Sequence, residues 1–127
     1  MHSQTEYMRH ERHGWPNHNE QAMQVDLVGH AWFISTDHLK YLWYEKPFTW
    51  ETGEDIHFSA VAQIHGGIPT IVPPHPANDL AMHSSLYGYQ LGVDNKTVSV
   101  NGQQEFFSLR DGCVQHYVNR GWNLYEF

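Results

Sequence analysis

Cysteine, long apolar runs and basic residues are all scarce in this chain, and each scarcity excludes a class of protein. Cys113 is the only cysteine among 127 residues, so no internal disulfide can form, and the reducing cytoplasm is the expected location. No run approaches the ~18 apolar residues of a membrane-spanning helix, and the polar, histidine-rich segment 1–23 lacks the apolar core of a secretion signal. Lysine and arginine total 7 against 14 aspartates and glutamates, a net charge of −7, so nucleic acid is not an expected partner.

The sequence also lacks the short motifs of several enzyme classes. It contains no Gly-rich phosphate loop, no paired cysteines for zinc, no His-Glu-x-x-His helix and no Gly-x-Ser-x-Gly turn. Cys113 lies in an apolar helical pattern with no basic residue closer than Arg110, which predicts a small buried side chain rather than a nucleophile. The 11 histidines motivate a metalloprotein as one alternative, although their spacing does not bring several ligands together.

The chain does have enough apolar and aromatic residues for one compact domain. Hydrophobic residues make up 40% of it and aromatic residues 14%, and 127 residues suit one domain better than two. An aromatic surplus suits a core, and it also suits stacking on sugars or bases. We divide the chain into the polar segment 1–23 and a single domain over 24–127. The predicted fold is α/β, a small mixed sheet with flanking helices.

Apolar periodicity and turn residues predict the order of the elements. A near-continuous apolar run predicts a strand over 24–34, buried on both faces as in a parallel or mixed sheet. Helical spacing, cap residues and glycine stops predict the rest. These further elements are a short helix after Ser35, a helix from about 54 to 65, a strand over 68–72, an edge strand over 97–100, a helix over 106–117 and an aromatic tail from Trp122.

Two adjacent carboxylates, Glu54 and Asp55, open the second predicted helix directly after Gly53. Acids in the first turn complement the helix dipole, so capping alone would explain them. Trp50 before the pair and His57 after it are more than a cap requires. Because successive helical side chains diverge by about 100°, one acid can bind a hydroxyl group while the other faces the scaffold.

Two histidines lie in positions that suit a ligand. Prolines on both sides fix the backbone of His75, in Pro73-Pro74-His75-Pro76, so its imidazole could meet a metal or a phosphate. His83 precedes two serines, a combination that would suit phosphate or sugar contacts. A surface histidine in a turn or loop is the simpler interpretation of each.

Three stretches of the chain, taken in order, carry a family resemblance. They are Val25-Asp26-Leu27-Val28-Gly29-His30-Ala31-Trp32-Phe33, Trp50-Glu51-Thr52-Gly53-Glu54-Asp55-Ile56-His57-Phe58-Ser59 and Pro69-Thr70-Ile71-Val72-Pro73-Pro74-His75-Pro76. Together they resemble the C-terminal, acceptor-side half of a GT-A type glycosyltransferase of the family 2-like nucleotide-sugar transferases. The exostosin-like family is similar in layout. The resemblance extends to Trp122.

The resemblance implies transfer of a sugar from a nucleotide-sugar to a hydroxyl acceptor on a glycan, a lipid or a protein. In inverting members the second acid is the general base, which is Asp55 here, and Glu54 would then hold a sugar hydroxyl. Trp50 would stack on the sugar ring. Further substrate-binding residues implied by the resemblance are Thr52, Gly53, Gly29, His30 and Trp32.

The same resemblance implies a divalent metal, Mn²⁺ or Mg²⁺, with His75 or His83 as an additional ligand. The Asp-x-Asp motif that holds this metal in such enzymes is absent, and no βαβ pattern precedes residue 25. We therefore expect the nucleotide-binding half on a missing N-terminal part or on a separate chain.

A non-catalytic module is the alternative that the sequence leaves open. In that case Trp50, Trp32 and Tyr87 would bind a carbohydrate by stacking, and the two acids would bind hydroxyl groups without chemistry.

Overall fold

The computed structural model describes residues 11, 13, 17–29, 31–82 and 103–125. These residues form strand β1 (Met23–Val25), a first 3₁₀ helix (Thr36–Leu42), helix α1 (Glu54–Gly66), strand β2 (Thr70–Val72), a second 3₁₀ helix (Leu80–Met82) and helix α2 (Gln103–Val118). The presence of both helices and a small sheet confirms the predicted α/β class. The predicted edge strand over 97–100, together with His30, His83 and Tyr87, lies outside the described residues.

Helix α1 is central to the fold and has the predicted bounds. It begins after Gly53, whose φ of 85° places it in the left-handed region. It ends at Gly66, and Gly67, also left-handed, donates its backbone N–H to the carbonyl of Gln63 at 2.9 Å. The helix is buried without a break from Asp55 to Ala62, so it is packed on several sides.

The predicted short helix after Ser35 is confirmed, with 3₁₀ geometry. Ser35 is its N-cap, and the Ser35 hydroxyl accepts from the backbone N–H of Asp37. Tyr41 is the buried residue of this helix and packs in the core with α1. The helix ends at Leu42, and the backbone N–H of its C-cap residue Trp43 donates to the carbonyl of Lys40.

The sheet differs most from its prediction. β1 and β2 pair antiparallel, with Met23 opposite Val72 and Val25 opposite Thr70, and an isolated bridge joins Asn19 to His75. The predicted long strand over 24–34 is wrong beyond Val25. The described residues after it, up to 34, have no strand partner within the described part of the chain.

The partly buried side chains of this run pack against the helical core instead of against strands. Trp32 packs against Phe58 of α1 with ring centroids 5.6 Å apart, and its indole N–H donates to the carbonyl of Val28 at 2.7 Å. Ile34 also packs against the core, whereas Phe33 is fully exposed. An apolar run therefore marked contact with a helix, not the centre of a parallel sheet.

Helix α2 and the segment after it complete the core. The predicted helix over 106–117 is confirmed and slightly longer, and the left-handed Gly121 follows its end. Val114, Tyr117 and Trp122 are buried with the residues of α1. Trp122, the first residue of the predicted aromatic tail, packs in the helical core. Within the described residues, no helix has both the length and the apolar character needed to cross a membrane.

Candidate functional site

The carboxylate of Asp55 is held by a buried ion pair. Oδ2 accepts from Nη2 of Arg110 at 2.7 Å, and Oδ1 accepts from the backbone N–H of Ile56 at 2.9 Å. The side chain of Asp55 is only 9% exposed and that of Arg110 only 5%. Each charged group therefore has the other as its hydrogen-bonding partner in place of water. Helix α2 supplies the arginine, and the N-terminus of α1 supplies the acid.

Two of the predicted substrate-binding residues lie beside this ion pair. Nη1 of Arg110 donates to the hydroxyl of Thr52 at 3.4 Å. A Cβ atom on Gly29 would lie 3.9 Å from Oδ2 of Asp55, so the backbone at position 29 passes close to the carboxylate. The structure thus brings Gly29 close to Asp55, 26 residues later in the sequence, and Arg110 links Asp55 to Thr52.

A cavity of about 200 Å³ opens next to the ion pair, on the side of Glu54. Its walls are formed by the N-terminus of α1 and the irregular segment before it. The lining residues are Leu42, Trp43, Pro47, Thr49, Trp50, Glu51, Thr52, Glu54 and His57. Trp43 and Trp50 remain 76% and 78% exposed, which leaves their ring faces available to a ligand. Indole faces and carboxylates in one small cavity suit a ligand with both C–H faces and hydroxyl groups.

His57 forms the buried floor of this cavity. Its Nε2 lies 3.3 Å from the carbonyl oxygen of Leu42, and its Nδ1 is hydrogen bonded to the hydroxyl of Tyr117. Because a carbonyl oxygen only accepts, Nε2 carries the proton and Nδ1 accepts from the tyrosine. Burial lowers the pKa of His57 and outweighs the hydrogen bond to Leu42, which acts in the opposite direction, so the ring is neutral at pH 7.

Glu45 ties the segment carrying the tryptophans to both helices. Its carboxylate pairs with Arg120, which follows α2, and with Nε2 of His65 in the last turn of α1 at 3.0 Å. The hydrogen bond from Arg120 is the largest cause of a lowered pKa, which is about 2 for Glu45. The carboxylate therefore stays ionised over the whole physiological range.

The other predicted site residues lie elsewhere or outside the described residues. Trp32 packs on Phe58 and is absent from the cavity lining. His75 lies at the bridge to Asn19, and its Nδ1 is 2.9 Å from the carbonyl oxygen of Pro73. His30 and His83 are not among the described residues, so the structure does not place them.

The part of the chain that the structure describes contains no cluster of side chains that could bind a divalent metal. No three His, Cys, Asp or Glu side chains there are grouped as an ion would require.

Sequence analysis missed Arg110, Trp43 and the bond between His57 and Tyr117. Arg110 could have been found. It lies four residues after Phe106 and three before Cys113, on the apolar face of the predicted helix, where a charged side chain requires a buried partner. Comparison of the chain with protein-family models, with curated proteins and with solved structures found no match in any of the three.

Proposed function

We propose that this domain binds a sugar in the cavity between Trp43 and Trp50 and is the acceptor side of a glycosyltransferase. One observation carries the proposal. Thr52 lines the cavity and also accepts a hydrogen bond from Arg110, the residue that holds Asp55. A single side chain thus connects an aromatic cavity with the acid that the family resemblance assigns to catalysis.

The size and chemistry of the cavity support a single sugar ring. Drug-sized ligands occupy pockets of roughly 300–1,000 Å³, and this cavity has about 200 Å³. The C–H face of a sugar would stack on Trp50 or Trp43, and its hydroxyl groups would donate to the carboxylates of Glu51 and Glu54.

The proposed reaction transfers a sugar from a nucleotide-sugar to the bound hydroxyl. The hydroxyl oxygen attacks the anomeric carbon, its proton passes to a carboxylate, and the nucleoside diphosphate leaves with the bonding electron pair. Such general-base catalysis typically contributes ~10²–10⁴-fold. The nucleotide-binding half would supply the donor site.

Two carboxylates at the start of α1 are candidates for the base. The resemblance implies Asp55, and Arg110 would then orient its carboxylate toward the acceptor. Both oxygens of Asp55 already accept hydrogen bonds, so an acceptor hydroxyl must share or displace one of them. Glu54 is exposed at the cavity and needs no such exchange.

Calorimetry with glucose, galactose, mannose and N-acetylglucosamine tests the binding step, and their UDP conjugates with Mn²⁺ test the donor. We expect binding of at least one sugar, and Trp50→Ala should weaken it about tenfold, a loss that removal of one stacked aromatic explains. The matched control is Phe33→Ala, which removes an exposed aromatic ring outside the cavity. Equal losses in both variants, or no binding of any of the four sugars, would refute the proposal.

A non-catalytic carbohydrate-binding module is the second candidate, and the buried ion pair favours it. If Asp55 serves only to neutralise Arg110, the cavity binds sugar without chemistry. Binding of free sugars but none of the UDP conjugates agrees with both candidates, because the donor site of the transferase would lie on the nucleotide-binding half. Turnover of a UDP-sugar supports the transferase, and its loss in Glu54→Gln, or in Asp55→Asn shown to remain folded, identifies the base.

A further inference from the structure

The cavity between Trp43 and Trp50 has an unbalanced charge. Among the described residues that line it, Glu51 and Glu54 carry carboxylates, and there is no lysine or arginine. His57 adds no positive charge at pH 7, because burial lowers its pKa. A ligand in this cavity therefore meets two acidic side chains and no basic one.

The two acids of the cavity differ from the acids that precede and follow them in sequence. Glu45 and Asp55 each form an ion pair with an arginine. Within the described part of the chain, neither Glu51 nor Glu54 forms such a pair. Both side chains are exposed, so they are available to a charged ligand.

The N-terminus of α1 opposes these carboxylates only in part. A helix N-terminus is equivalent to about +0.5 elementary charge, whereas the cavity has two carboxylates. The pair of Asp55 and Arg110 is neutral as a unit. Lys46 belongs to the segment before the cavity but is not among the residues that line it. The net charge that a ligand meets is therefore negative.

The two tryptophans supply ring faces that a cation can use. Trp43 and Trp50 line the cavity and are mostly exposed. In the part of the chain that the structure describes, cationic side chains lie over Tyr41, Phe106 and Tyr117 and over neither indole. An indole face attracts a ligand cation within about 6 Å of its centre, more strongly than the rings of tyrosine and phenylalanine do.

We propose that this cavity selects a ligand that carries an ammonium group, and that the sugar of the proposed function is an amino sugar with a free amine. The ammonium group would lie between an indole face and a carboxylate, while C–H groups of the same sugar ring contact the other tryptophan. The choice of a sugar rests on the proposed function, whereas the preference for an ammonium group rests on the charge and the rings of the cavity.

Three sugars that share one ring isolate the effect of the charge. Glucosamine has an ammonium group where glucose has a hydroxyl and N-acetylglucosamine has an uncharged amide. Calorimetry at a pH of about 6.5, below the ordinary pKa of an α-amino group, should show glucosamine bound about tenfold more tightly than either neutral sugar. This is the combined effect of one exposed ion pair and one cation–π contact. Equal affinities for the three sugars would overturn the inference and leave the proposed sugar binding intact.

Two double variants with the same net charge locate the origin of the preference. Glu51→Gln combined with Glu54→Gln should reduce the tenfold preference for glucosamine to about twofold, the part that the indoles contribute. Asp37→Asn combined with Glu105→Gln removes two exposed acids that do not line the cavity, and should retain the full preference. Equal preferences in the two double variants would overturn the inference, because the acids of the cavity would then have no special effect.

Tetramethylammonium separates the cation from the sugar, because it carries the charge without any hydroxyl group. It should bind more weakly than glucosamine, and Trp50→Ala should weaken its binding further. Equal affinities for tetramethylammonium and glucosamine would overturn the assignment of an amino sugar. If both cations bind and glucose, galactose, mannose and N-acetylglucosamine do not, the proposed function fails while the preference for an ammonium group stands.

Discussion

A Cβ atom at position 53 would lie 2.8 Å from Sγ of Cys113, closer than such atoms pack. Gly53 also has a φ of 85°. The start of α1 is therefore restricted twice, once by its own backbone and once by contact with α2. The candidate site at the helix start depends on a long-range contact as much as on its own sequence.

Gly53→Ala should destabilise the fold by about 2–4 kcal/mol, combining the cost of a left-handed backbone with that of overpacking. Gly67→Ala is the matched control, because Gly67 has a φ of 63° but nothing within 4 Å of its Cβ position. Only the backbone cost, about 1–2 kcal/mol, applies there. Urea unfolding measures both. Equal losses would show that the contact with Cys113 has no energetic weight.

Breaking the ion pair between Asp55 and Arg110 should cost about 3–5 kcal/mol, because each single change leaves the other charge buried and unpaired. This expectation applies to Asp55→Ala and to Arg110→Met. The double variant should be less destabilised than the sum of the two. Glu54→Gln, at the exposed neighbouring acid, is the control and should change the free energy of unfolding by less than about 0.5 kcal/mol. Additive losses at positions 55 and 110 would contradict the pairing.

Acid should destabilise the fold through Glu45. Because the pKa of its carboxyl is lowered from 4.5 to about 2, the unfolded chain binds more protons between these values. The stabilisation is complete above pH 4.5 and is lost as the pH falls toward 2. Unfolding free energies measured over this range should fall less steeply in Glu45→Gln than in the parent chain. The exposed Glu51→Gln should retain the parent slope.

The thiol of Cys113 should be almost inert in the folded protein. Burial raises its pKa from 9.0 to about 11, so the reactive thiolate is about 100-fold rarer than in the unfolded chain at the same pH. Reaction with a chromogenic disulfide at pH 8 should be slower than in urea by at least that factor. Comparable rates in the two states would contradict the burial of this residue.

The helices were predictable because their limits are local. Gly53, two acids and the Gly66-Gly67 stop define α1 within fifteen residues of sequence, and each has a physical effect on helix ends. The prediction of a strand over 24–34 was wrong because the apolar pattern behind it is not specific to strands. An apolar run indicates burial, and partial burial of Trp32 and Ile34 against the helical core gives the same sequence pattern as burial within a sheet.

The site was predictable only in part. The Gly-Glu-Asp stretch located the start of α1, and Trp50 does line a cavity there. The partner of Asp55 lies 55 residues away, and that of His57 lies 60 residues away. No local periodicity connects such residues, since their contact is decided by how α1 packs on α2.

These separations also set the order in which the molecule can form. The pairs Asp55–Arg110, His57–Tyr117 and Asp26–Tyr125 span 55, 60 and 99 residues. Contacts between residues so far apart in sequence form slowly, because the conformational entropy of the large intervening loop must be lost first. On the ribosome, α1 emerges well before Val114, Tyr117 and Trp122, the residues that cover its apolar side. Until residue 122 has been made, Ile56 and Val61 lack their partners, so the nascent chain is most exposed to proteases and aggregation in that interval.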